Sequence, residues 1–174
     1  MKKINVSAAK VRVGSGYPSP YDEPCRERKR VRLGDAAGLT QFGVNFLTLP
    51  PGVWSSQRHW HSAEDEFVYV LEGEVVLVTE AGEEVLRAGD CAGFKAGDGD
   101  GHHLHNRTGA AAVLLEIGSR NPERDAVEYP GIDLVIRAGA RTFLHKDGTP
   151  YPPRSRISRR LKSRGSVASM PRRP

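Results

Sequence analysis

Apolar residues recur at every second position in LTQFGVNFLTL (39–49), the spacing of a strand with one buried face, and PPG ends that run in a turn. EFVYVLEGEVVLVTEAGEEVLRAGD (66–90) reads as short strands separated by turns at EG and EAGEE. HHLHN (102–106) and AAAVLLEIG (110–118) supply two more. No stretch of a dozen residues before the C-terminal tail carries helical periodicity, and the chain holds 19 glycines and 12 prolines. Many short strands between glycine-rich turns predict an all-β barrel or sandwich.

The flanks read differently. Residues 1–37 form an irregular arm: GYPSPYDEP carries three prolines, and the basic run RERKRVRLGD fits a solvated face or an edge strand. In 119–153, IDLVIRAG and RTFLHKDG are expected to pair as a hairpin, wrapped on the barrel surface or across a dimer contact. Four segments result: an arm (1–37), a strand-rich core (38–118), a C-terminal hairpin region (119–153) and a tail (154–174).

Charge separates the last segment from the rest. The formal net charge is +5, but residues 154–174 hold eight Lys and Arg and no acid, leaving 18 basic and 21 acidic residues before them. The body is therefore mildly acidic. The tail is expected to stay disordered, and specific nucleic-acid binding is not expected of the chain. Cys25 and Cys91 stand far apart outside any CxxC context, which argues against a disulfide framework or a cysteine zinc site. The absence of an apolar run of signal-peptide or membrane-span length sets the expectation of a cytoplasmic protein of one domain.

Two histidine clusters carry the candidate chemistry. His59 and His61 are two residues apart, so on a strand both rings leave one face while Trp60 leaves the other. SAED then makes a turn, and Glu66 begins the next strand. Two imidazoles and a returning carboxylate can hold a divalent ion, although HxH on a strand is also ordinary surface structure. In GDGDGHHLHN, alternation puts His102, Leu104 and Asn106 on one face and His103 and His105 on the other. The three histidines therefore cannot all serve one ion.

This arrangement resembles the cupin superfamily. Gly52, His59, His61, Glu66 and Gly73 match its first motif, with one extra residue before His59. Gly89, Gly97, His102 and Asn106 match its second, with Lys95 where proline is usual and two extra residues before His102. The resemblance implies a double-stranded β-helix jelly roll, commonly a homodimer. It also implies a metal held by His59, His61, Glu66 and His102, with His103 as the alternative third imidazole. Zn, Mn, Fe or Ni would suit such ligands. The longer context, including EDEFVYVLEGE, YPGIDL and HKDGTPY, looks like bacterial cupins labelled sugar-phosphate (mannose-6-phosphate) isomerase-like.

An isomerase of this kind would take a phosphorylated sugar and would need a cationic clamp, for which Arg58, Lys95 and Arg107 are candidates. Tyr69 has the parity of packing rather than catalysis, and Glu64 and Asp65 could hold a histidine N–H. Two other functions fit the same ligands: an Fe(II) oxygenase, and a non-enzymatic small-molecule-binding cupin.

Overall fold

The computed structural model describes residues 3–152. The strands are β1 (Val11–Val13), β2 (Lys29–Arg32), β3 (Phe42–Leu49), β4 (Trp60–His61), β5 (Glu66–Glu72), β6 (Glu74–Thr79), β7 (Gly82–Arg87), β8 (Cys91–Phe94), β9 (His103–His105), β10 (Ala112–Ser119), β11 (Val127–Glu128) and β12 (Val135–Ile136). Helix among the described residues is confined to α1 (Leu33–Ala36) and two short 3₁₀ turns. The basic tail at 154–174 lies outside the described residues.

Six antiparallel strands form the main sheet in the order β1-β2-β3-β10-β5-β8, and β7-β6-β9 forms a second sheet. A double-stranded β-helix results. The two-residue alternation decides what lies between the sheets. On β5, Val68 and Val70 are buried while Phe67, Tyr69 and Leu71 face outward. Leu47 and Leu49 of β3, Val75 and Leu77 of β6, Leu104 of β9 and Leu114 of β10 join them in one core.

The flanks build a second core. Tyr17 and Cys25 of the N-terminal arm pack with Val127, Tyr129 and Leu134, and Phe143 leans against them. Here β4, β11 and β12 form a small third sheet. Within the largely irregular arm, the basic run forms β2, one strand in from the edge because β1 covers it. Burial of Arg30 is compensated by Glu116, whose two oxygens accept from Nε at 2.6 Å and Nη2 at 2.7 Å. The expected pairing of 132–139 with 141–148 is present as one bridge, Val135 to Leu144, while β12 pairs back onto β11.

One turn residue is dictated by geometry. Gly73, between β5 and β6, has φ of 77°, and a Cβ there would lie 3.0 Å from the Ala111 carbonyl oxygen. Replacing Gly73 with Ala is expected to cost about 2 kcal/mol or more, combining left-handed backbone strain with the clash. Urea denaturation at matched slope measures it, and an unchanged midpoint would refute this account of the turn.

Candidate metal centre

His59 lies just before β4 and His102 just before β9. They exchange backbone hydrogen bonds, His59 N–H to His102 O at 3.1 Å and His102 N–H to His59 O at 2.9 Å. This bridge brings together side chains 43 positions apart in sequence. His61 sits on β4, and Glu66 opens β5 immediately after the turn.

Three imidazoles converge on one carboxylate oxygen. Glu66 Oε2 lies 3.4 Å from His59 Nε2, 3.7 Å from His61 Nε2 and 3.1 Å from His102 Nε2. Two rings have their other nitrogen fixed. His59 Nδ1 is 2.9 Å from the Gln57 carbonyl oxygen, and His61 Nδ1 is 2.6 Å from Asp125 Oδ2. A carbonyl can only accept, so the His59 proton belongs on Nδ1 and the Nε2 lone pair faces Glu66. Asp125 does the same for His61, and its other oxygen accepts from the Ala63 N–H at 2.8 Å. Phe94 stacks flat on His102 with centroids 3.5 Å apart, holding that ring in place.

The electrostatics follow from this crowding. Burial works against the charged form of Glu66, but His59, the His102 hydrogen bond and His61 outweigh it and hold the carboxyl well below its usual range. Burial also opposes charge on His59, yet the Glu66 carboxylate and the surrounding hydrogen bonds raise its pKa. For His102 burial wins and the pKa falls, despite the bond to Glu66. His59, His61 and Glu66 thus form a possible metal site, with ligand atoms within 4.8 Å of one another, and the His102 Nε2 adjoins Glu66. Three imidazole nitrogens and one ionised carboxylate are a donor set that fits a divalent ion.

His103 takes the opposite face. Its ring stacks on Trp54 with centroids 4.4 Å apart, and burial, with help from neighbouring His105, pushes its pKa down to about 4. His105 accepts a hydrogen bond from Arg107 on the outer surface.

A cavity of about 210 Å³ opens beside the cluster, lined by His59, Glu66 and His102 together with Arg30, Glu64 and Arg120. Two of the cations expected as a phosphate clamp are occupied elsewhere: Arg58 pairs with Glu80, and Arg107 pairs bidentately with Glu83. Neither lines this cavity. Lys95 lines a smaller opening of about 180 Å³ on the His61 side. Glu64 lines both openings and accepts the Asn121 N–H, whereas Asp65 caps the Ala96 N–H. Tyr69 faces outward, away from the cavity. Asp125, Arg30 and Arg120 were not singled out by motif or spacing because each reaches the site through pairing distant in sequence, and Gln57, two residues before His59, acts through its backbone carbonyl, which no side-chain motif marks.

A double-stranded β-helix that gathers His59, His61 and Glu66 narrows the class of protein, and similarity makes it specific. Residues 45–118 match the model of the Cupin domain. A sugar phosphate isomerase of the cupin superfamily from Silicibacter pomeroyi DSS-3 is 43% identical, covering 87% of this chain and 97% of that one with a TM-score of 0.80. A provisionally named sugar phosphate isomerase from Acidithiobacillus ferrooxidans ATCC 23270 is 30% identical over 72% of this chain and 81% of that one, TM-score 0.64. The polyketide cyclase RemF from Streptomyces resistomycificus, at 18% identity over 76% and 87% and a TM-score of 0.60, shares the fold alone. No curated protein matches the chain. The chain belongs to the cupin superfamily. Among the described residues, no helix is long and apolar enough to cross a membrane.

Proposed function

We propose that this protein is a metal-dependent sugar-phosphate isomerase in which His59, His61, Glu66 and His102 hold one divalent ion. The observation that carries the reading is the convergence of three Nε2 atoms on Glu66 Oε2, supported by the 43% identity to the Silicibacter pomeroyi isomerase. When bound, the ion supplies Lewis acidity to the carbonyl and hydroxyl oxygens of an open-chain sugar. Asp125 and the Gln57 carbonyl keep two imidazoles aimed inward. Phe94, stacked on His102, lines the cavity beside it. Glu64 lines the same cavity and pairs with no arginine among the described residues, which suits it to moving a proton between neighbouring sugar carbons. Arg120 is the cation for a phosphate group: its pairing with Asp35 at 2.6 Å is about a third exposed and exchangeable.

Metal analysis of the purified protein, followed by a screen of phosphorylated aldoses and ketoses, tests this. Turnover is expected to vanish on chelation and return with a divalent ion, without oxygen uptake. Oxygen consumption coupled to substrate loss would assign the site to an oxygenase instead. If chelation only lowers the melting temperature and no sugar phosphate turns over, the chain is a binding cupin.

We also propose a homodimer through the outer face of the main sheet. Phe67, Tyr69 and Leu71 are each about 40% exposed there, and on β10 Leu115 and Ile117 stand directly beside Tyr69 and Phe67. A contiguous apolar patch of this kind on a sheet face marks an association surface. Tyr69→Lys is expected to shift the protein to monomer by light scattering while leaving metal content unchanged. A dimer of undiminished affinity would place the interface elsewhere.

A further inference from the structure

A second cavity, of about 500 Å³, lies between the N-terminal arm and the segment after β11, and among the described residues none lines both it and the cavity beside His102. Its cations are Arg12, Arg28 and Arg141, its walls include Tyr17, Tyr129 and Phe143, and no Asp or Glu lines it.

Arg28 is the informative residue. It is only 6% exposed. Its Nε donates to the Gly14 carbonyl oxygen at 3.2 Å and its Nη1 donates to the Ser55 carbonyl oxygen. These acceptors satisfy N–H groups but bring no negative charge. Arg30, two residues on, shows the usual solution to the same problem, a bidentate carboxylate from Glu116. Among the described residues no acidic side chain forms an ion pair with Arg28 or Arg141. Residues 1–2 and 153–174 contain no Asp or Glu, so the chain has no other acidic side chain to offer. A buried guanidinium without a counter-charge is strongly unfavourable, and a bound anion removes the penalty.

We propose that this cavity binds a phosphorylated small molecule, its phosphate held by Arg28 and Arg141 and its body seated against Tyr17, Tyr129 and Phe143. The two guanidinium charges match a phosphate dianion, whereas a single carboxylate would neutralise only half of them, and their planar forks suit the phosphate oxygens. The aromatic walls accept a ring or an apolar face. The site is separate from the proposed isomerase cavity. Tyr129 stands between them, edge-on to Tyr17 at 5.8 Å and stacked on His59 at 5.8 Å.

Calorimetric titration with inorganic phosphate and with phenyl phosphate, at constant ionic strength against chloride, tests the assignment. Saturable binding of one equivalent is expected, tighter for phenyl phosphate, and retained in His102→Ala even if the metal reading fails. Arg141 is exposed, so Arg141→Gln is expected to keep the wild-type melting temperature and weaken binding at least tenfold. Arg28→Lys, which keeps the charge and loses the fork, is expected to weaken it as well. Absence of saturable binding, heats reproduced by chloride, or undiminished affinity in Arg141→Gln would overturn the proposal. So would binding lost in His102→Ala but kept in Arg141→Gln, which would place the phosphate in the other cavity.

Discussion

His102→Ala is expected to emerge from purification without its divalent ion, and His103→Ala with it. The two residues are adjacent in sequence, yet their rings lie on opposite faces of the strand. His102 Nε2 stands 3.1 Å from Glu66 Oε2, while His103 stacks on Trp54. Changing a group that merely orients a ligand typically costs about 10–100-fold in metal affinity, so deleting the ligand is expected to cost more. Elemental analysis and metal titration of both variants measure the difference. His103→Ala should show its effect in stability instead, through the lost Trp54 contact. The opposite pattern, metal kept without His102 and lost without His103, would sink the ligand assignment.

That contrast was legible in the sequence because alternation along a strand is local: His102, Leu104 and Asn106 share a parity, and Leu104 and Asn106 are indeed buried. The HxH pair and the return of Glu66 after SAED were legible for the same reason. Asp125 was not. It reaches His61 across 64 positions because Val127 of β11 pairs with His61 of β4, and NPERDAVEY carries no periodicity that announces such pairing. The cations failed in the same way. Arg58 and Arg107 flank the ligand segments in sequence, but Glu80 and Glu83 neutralise them on the outside. Arg30 lines the cavity from the basic run that read as a solvated face or an edge strand, and Arg120 from the stretch after Gly118, where no motif marks it. The three- and four-residue strands β1 and β2 are too short for their pattern to separate them from loop, and only the neighbouring sheet makes them strands.

Asn106→Ala is expected to destabilise the protein by about 3 kcal/mol, a large share of the roughly 5–15 kcal/mol that holds a domain of this kind together. The residue is fully buried. Its Nδ2 donates to the carbonyl oxygens of Leu49 and Ala110, both at 2.7 Å, and its Oδ1 accepts from the Thr108 N–H at 2.9 Å and hydroxyl at 2.8 Å. One amide thus ties the end of β3 to the loop between β9 and β10, and alanine would strip partners from two carbonyls at once. Asn106→Asp is the sharper comparison. It keeps the shape but points an acceptor at those two carbonyl oxygens, so it should destabilise at least as much as alanine. Chemical denaturation of both variants without metal isolates this effect from ligand loss. If Asn106→Asp matched wild type while Asn106→Ala did not, volume rather than hydrogen bonding would explain the asparagine. Because Asn106 anchors the far end of the strand that His102 leads into, metal affinity should also fall in both variants, though less than in His102→Ala.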